Sequence, residues 1–329
     1  MHGWLIVDKP VGPGSTEIVS AVKRALRAGG YPKLKVGHGG TLDPLASGVL
    51  PVALGEATKL AGRMLDSDKV YDFTVRFGVE TDTLDAEGEV VSVSAARPSR
   101  GEAEAVLERF TGPIEQVPPV YSALKIDGKA AYARARAGEA VEMKSRSVTV
   151  HDLQLLPGTG RGTARHGRVV EGASSHAPPP LHHASRGPPP RAGEDCVTLT
   201  ARVSKGTYIR SLARDIARAL GTVGHVVMLR RTRAGPFALA QAISLDKLAE
   251  LGQARELEQA LLPLTAGLDD IPALSVTPDQ ARLLRQGRKL VGIAAQPGLY
   301  LATDQSVPVA LVELEGPELR VVRGFNLQS

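Results

Sequence analysis

Cysteine is almost missing from this chain. Cys196 is the only one in 329 residues, so no internal disulfide can form, and the pattern fits the reducing cytoplasm. Long apolar runs are missing too. Nothing approaches the roughly 20 residues that cross a bilayer, which leaves a membrane role without support. The opening stretch MHGWLIVDKPVG has a short apolar segment but no basic leader and no cleavage site. It reads as a strand and not as a signal peptide.

What is present is enough chain for one large or two modest domains with a substantial core. A net charge of +5 permits an anionic partner without demanding one. Local charge is more telling. Over residues 201–234, Arg202, Lys205, Arg210, Arg214, Arg218, Arg230, Arg231 and Arg233 stand against Asp215 alone. Such a run is either a solvated face or a surface that tracks phosphates. The excess of arginine over lysine, with a tyrosine among the charges, favours the second.

Along the chain, Trp4-Leu5-Ile6-Val7 reads as a buried strand ending at Asp8-Lys9-Pro10. Ser15 reads as the N-cap of a helix with Ile18, Val19, Val22 and Leu26 at helical spacing, stopped by Gly29-Gly30. Residues 69–77 (KVYDFTVRF) alternate, with Tyr71, Phe73, Val75 and Phe77 on the inward side of a half-buried strand. A polar loop at 78–88, a strand at 89–93, a helix around 101–110 and an irregular proline-led segment at 116–129 follow. Strands are expected over 148–156 and 196–203. Between them, residues 157–194 hold seven Gly, seven Pro, five Arg and four of the eight His, a composition that reads as a disordered insertion. Its His182-His183 pair lacks a fixed scaffold for a metal. Its GTGRG run lacks the strand–helix context of a dinucleotide fingerprint. Leu212, Ile216 and Leu220 mark a further helix, and a leucine-rich helical region is expected to reach about residue 265. From residue 271, a helix over 277–286 capped by Thr277 with Pro278 at its first position, and short strands around 298–302, 307–313 and 319–323, read as a small barrel-like domain.

Residues 37–59, GHGGTLDPLASGVLPVALGEATK, are the most informative stretch. Asp43 is isolated there, the nearest other carboxylate in sequence being Glu56. Three roles are open to it: capping a helix, binding a cation, or acting as nucleophile or base. Pro44-Leu45-Ala46-Ser47-Gly48 is a poor helix start. Only His38 is near as a further ligand, and the lack of a carboxylate cluster argues against a metal-dependent nuclease.

These residues resemble the G-T-L-D-P-x-A-x-G signature of the bacterial tRNA pseudouridine-55 synthases, the TruB family. Four further segments match in order: Asp66-Ser67-Asp68-Lys69-Val70-Tyr71, the G-x-x-T-D-T-x-D-x-x-G loop at 78–88, the Q-x-P-P-x-Y-S-A-x-K segment at 116–125, and Ser204-Lys205-Gly206-Thr207-Tyr208-Ile209-Arg210. One departure stands out. The family typically continues D-K-P-x-G-x-T-S, whereas this chain has Asp8-Lys9-Pro10-Val11-Gly12-Pro13-Gly14-Ser15-Thr16, which makes the contacts of that loop differ from the pattern.

The resemblance implies an α+β fold on a mixed, largely antiparallel sheet, with a catalytic domain at 1–268 and a PUA-type RNA-binding domain at 271–329. It implies isomerisation of uridine 55 in the TΨC loop of tRNA, in which the N1–C1′ bond breaks and the base rejoins through C5. No redox step or group donor is involved, so no cofactor and no metal are expected. Asp43 falls at the catalytic carboxylate, Tyr71 at the active-site tyrosine and Arg210 at the family arginine. His38, Lys59, Lys205, Tyr208 and Leu229 are the expected RNA contacts, the target base being flipped out of its stack. The expected partner is the T-arm of tRNA, met by a monomer. A rival of another class is a non-catalytic tRNA-binding or tRNA-folding protein on the same scaffold, which would not need Asp43, Tyr71 and Arg210 together.

Overall fold

The computed structural model describes residues 1–122, 124–126, 128–139, 141–157 and 195–327. The expected insertion lies outside them from residue 158 onward.

The strand Gly3–Lys9 shows why its apolar run is continuous. It is paired on both edges, with Ser47–Leu54 and with Leu261–Pro263, and packed on both faces. Leu5 and Val7 enter a core that also takes Ile18, Val22 and Leu251 from the helices Ser15–Ala28 and Leu245–Ala254. Trp4 and Ile6 point the other way, into a second core with Met64 and Phe237. Ten strands form this sheet, which runs from Leu261–Pro263 through Gly3–Lys9, Ser47–Leu54, Gly224–Ala234, Lys69–Phe77, Cys196–Val203 and Arg146–Leu155 to Gly112–Gln116, with two short strands beside that path. The pairings are antiparallel apart from one short parallel contact between Gly224–Ala234 and Ser47–Leu54. The expected α+β class with a largely antiparallel sheet is borne out.

Two readings of local structure are corrected. The helical region expected to reach residue 265 contains instead the eleven-residue strand Gly224–Ala234, near the middle of the sheet. Among its described residues only Leu245–Ala254 is α-helix. Arginines at 230, 231 and 233 hid the strand's alternation, since an inward-facing arginine looks like a surface residue in a pattern. Ser15 is not the N-cap either. Gly14 occupies that position, its N–H donating to Glu17 Oε2 at 2.6 Å, which frees the Ser15 hydroxyl for a long-range contact.

The positive charge of residues 201–234 is partly paired within the protein. Asp8 from the first strand holds Arg230 at 2.8 Å, Asp68 holds Arg202 at 3.5 Å, Glu80 holds Arg218 at 3.1 Å and Asp215 holds Arg214 at 2.8 Å. Arg210 and Arg231 are buried. Acidic partners distant in sequence offset much of the local excess.

The remaining chain builds a second, five-stranded sheet in the order Ala273–Ser275, Gly298–Asp304, Val307–Glu315, Glu318–Gly324, Leu290–Val291. The helix Pro278–Arg285 packs on it, capped as expected by the Thr277 hydroxyl. Its strands agree with the expected barrel-like, PUA-type unit. Leu301, Leu311 and Phe325 turn away from its own core and join Trp4 and Phe237. Phe325 is 1% exposed, so Phe325→Ala should destabilise the protein by about 3–5 kcal/mol through transfer and cavity terms. Urea unfolding of the variant checks this.

Candidate active site

Asp43 lies in the loop between the strands Val36–His38 and Ser47–Leu54, and that loop is pinned by its backbone. The Ser15 hydroxyl donates to the Leu42 carbonyl at 3.1 Å and accepts from the Leu42 N–H at 2.8 Å. Lys9 Nζ, wholly buried, donates to the carbonyls of Ala46 at 2.6 Å, Pro44 at 3.2 Å and Pro10 at 2.9 Å. Arg231, 1% exposed, donates to Val49 O at 2.8 Å, Gly40 O at 3.2 Å and Thr41 O at 3.3 Å. The Gly12 N–H adds a bond to the Pro44 carbonyl at 2.9 Å. Gly12 and Ser15, on either side of the atypical Pro13-Gly14 pair, are therefore both bound to the Asp43 loop.

Gly48 shows how closely the chains approach. Its φ is +103°, and a Cβ there would lie 2.1 Å from the Arg231 carbonyl oxygen. Any side chain would be strained and would push the loop off the strand Gly224–Ala234.

Arg210 stands in the first turn of the helix Ile209–Ala219 and faces Asp43 across the cleft. Its Nη2 is 2.8 Å from Asp43 Oδ2 and donates to the Tyr121 carbonyl at 3.0 Å. Its Nη1 donates to the Thr83 carbonyl at 2.9 Å and to Asp85 Oδ2 at 3.1 Å. Asp85 is buried and also accepts from the Thr83 hydroxyl at 2.6 Å and the Glu87 N–H at 3.1 Å. Breaking such a buried pair from one side costs about 3–5 kcal/mol. Arg210 is thus held on one edge so that its other edge can orient Asp43, whose side chain is 40% exposed. Gln116 fixes the start of the same helix, its side-chain amide bonding both the N–H of Tyr208 at 2.8 Å and its carbonyl at 3.1 Å.

Asp43, Tyr71, Tyr208, Arg210 and Leu229 line one cleft of about 320 Å³, together with Lys69 and Arg231. The other expected residues lie elsewhere. His38 is partly buried with Nδ1 enclosed and without a partner among the described residues. Burial first, and then the charge of Arg231, push its imidazole below the ordinary value. Lys59 bonds Glu56 at 2.7 Å and the Gly324 carbonyl at 2.9 Å, a contact with the second sheet. Lys205 pairs with Asp66 at 3.0 Å on an open surface, an interaction of little energetic weight.

Lys9, Asp85 and Gln116 were not singled out from the sequence, although Asp85 and Gln116 lie inside matched segments and Lys9 in the D-K-P stretch. Attention to buried polar positions within those segments could have found them. Arg231 carried no signal, since nothing local distinguishes it from Arg230 or Arg233.

The fold itself has solved examples. The structure titled "Structure of H/ACA RNP bound to a substrate RNA containing 2'-deoxyuridine" superposes with a TM-score of 0.66 at 23% identity, covering 99% of this chain and 85% of that one. The "Crystal Structure of a Cbf5-Nop10-Gar1 Complex" gives 0.66 at 25% identity, covering 98% and 84%. Sequence comparison is more specific. The TruB family pseudouridylate synthase N-terminal domain matches residues 23–171, and the tRNA pseudouridylate synthase B C-terminal domain matches 210–269. The latter range ends before the second sheet begins. The tRNA pseudouridine synthase B of Novosphingobium aromaticivorans is 59% identical over 329 residues, covering 100% of this chain and 99% of the relative. That of Zymomonas mobilis is 57% identical over 326 residues, covering 99% and 96%. The chain belongs to the TruB family of pseudouridylate synthases.

Gly48→Ala should cost more than about 2 kcal/mol in urea unfolding, because positive φ and a backbone clash coincide. Burial pushes the ammonium groups of Lys9 and Lys69 down to about 8. Lys69 donates to the carbonyls of Met64, Leu65 and Ser67, so both groups use all three donors. Because the folded values lie below those of the unfolded chain, their contribution to stability rises as pH goes from about 8 towards 10.5. A neutral amine has one donor fewer, so the grip on the carbonyls slackens over the same interval. Turnover should fall above about pH 8 without a matching fall in melting temperature, measured side by side.

Proposed function

We propose that this protein isomerises uridine 55 in the TΨC loop of tRNA to pseudouridine, with Asp43 as the catalytic carboxylate. The observation that carries this reading is the Asp43–Arg210 contact of 2.8 Å at a cleft of nucleoside size. The names of the relatives support tRNA as the substrate.

The geometry divides the labour. A flipped-out nucleoside enters the cleft between Tyr71, Tyr208 and Leu229, where an aromatic face and an apolar side chain take the uracil ring. Arg210 holds the carboxylate of Asp43 towards the sugar and base. Arg210 itself is kept from swinging by Asp85 and two carbonyls, so little reorganisation accompanies the chemistry. Asp43 supplies the negative charge or nucleophile when the N1–C1′ bond opens. The freed base turns, C5 bonds to C1′, the C5 proton leaves to solvent and N1 gains one. Tyr71 stands beside the ring for that proton removal. Atoms and electrons balance without an added reactant.

His38, Lys59 and Lys205 enter this proposal as RNA contacts outside the cleft, His38 taking the place of the displaced base. For Lys59 this requires release from Gly324. Residues 1–268 act as the catalytic domain, and residues 271–329 extend the grip on the T-arm. The protein works as a monomer in the cytoplasm.

The test is tritium release from tRNA labelled at uridine C5, with product mapped to the T-loop. The wild type should release one tritium per tRNA, and Asp43→Asn should fall by at least about a thousandfold, the scale of losing an essential catalytic group. Tight tRNA binding by both proteins with no release by either would establish the non-catalytic tRNA-binding reading instead.

A further inference from the structure

Arg146 opens the strand Arg146–Leu155 and has no part in the chemistry above. Its guanidinium carbon lies 4.9 Å from the ring centroid of Tyr208, so it backs a side chain that lines the cleft. Gly206, with φ +80°, passes so close that a Cβ there would lie 3.4 Å from Nη1.

The remaining edge of the guanidinium is the unusual one. Nε and Nη2 are both enclosed, and neither has a hydrogen-bond partner among the described residues. Enclosed donors are almost always satisfied, and a bare donor on a charged group is the costliest kind. Arg210 and Arg231, the two arginines of the cleft lining, have a partner on every nitrogen that carries comparable burial, through carbonyls and carboxylates. Nε and Nη2 also share one edge of the guanidinium plane. They form the parallel donor pair that matches two oxygens of a phosphate or carboxylate. No carboxylate of the described chain is within ion-pair distance of it. A strand of RNA brings a phosphodiester with every nucleotide.

We propose that Arg146 binds a backbone phosphate of the RNA beside the flipped nucleoside through its Nε–Nη2 edge, completing its hydrogen bonds only when substrate is bound. The inference rests on the RNA-modifying reading above. Because the edge is enclosed in the free protein, arrival of the phosphate requires a local shift of the groups that cover it. Tyr208 lies against the same guanidinium, so phosphate capture also steadies the cleft wall.

The test compares Arg146→Gln and Arg146→Lys in an Asp43→Asn background, measuring T-arm RNA affinity across a salt series. Arg146→Gln should weaken binding about tenfold at low salt, the size of a lost charge-assisted contact. It should also lower the slope of log affinity against log salt by about 0.7 to 0.9, one phosphate's worth of counterion release. Arg146→Lys should keep the slope and still bind several-fold more weakly, because an ammonium is a point charge without a fork. Parental affinity and slope in both variants would overturn the proposal. A loss confined to the single-turnover rate of the same variants with Asp43 intact would also overturn it, leaving Arg146 as packing for Tyr208. If thermal melts show Arg146→Gln unfolded, the lysine variant decides: weaker binding at an unchanged slope supports the phosphate contact, and parental binding overturns it. Failure of the parent to bind T-arm RNA at all would overturn the functional reading and this inference with it.

Discussion

Backbone carbonyls hold the positive charge beneath the Asp43 loop. Lys9 and Arg231 are both buried and both end on carbonyl oxygens of residues 40–49. Removing a cation from water is expensive unless its donors are answered. Carbonyl dipoles answer them here without consuming a carboxylate. Asp43 is therefore left for Arg210, and Arg210 is stabilised from behind by Asp85. The separation matters chemically. Were Asp43 the counter-ion of the buried floor, it would be drawn down into the protein and away from the cleft.

The same economy extends outward. The Ser15 hydroxyl is free for Leu42 because Gly14 takes the cap position. Gly48 allows the chain to touch the strand that carries Arg231. Gln116 locks the backbone of Tyr208, which starts the helix carrying Arg210. Each contact joins segments far apart in the chain, so the cleft forms only when the sheet is assembled. Its geometry follows from the register of Gly224–Ala234 between Ser47–Leu54 and Lys69–Phe77.

The second sheet is joined to this frame by both apolar and polar contacts. Leu301, Leu311 and Phe325 share a core with Trp4. Lys59 donates to the Gly324 carbonyl, and Glu56 accepts from the Asn326 N–H. Lys59 and Glu56 follow directly on the strand that leaves the Asp43 loop, in the segment Gly55–Leu60. The short span 43–59 thus carries both the carboxylate and the attachment of the C-terminal sheet.

Much of this was legible in the residue order. The isolated Asp43, the alternation of 69–77, the cap of the last helix and the spacing of Tyr71 and Arg210 could all be read, because local pattern and motif spacing carry them. The central strand and the buried arginine could not. A pattern assigns charged residues to solvent, and Arg231 differs from Arg230 only in which face of the sheet it meets. The pairing of the basic run stayed hidden for the same reason, since Asp8, Asp68 and Glu80 come from segments distant in the chain. Sequence by itself determined the family, the fold class and the chemical groups at the centre. Tertiary structure alone decided which cations are buried, which carboxylates they meet and which donors are left unanswered. Those outcomes depend on partners brought together by sheet register, and no local window of sequence contains them.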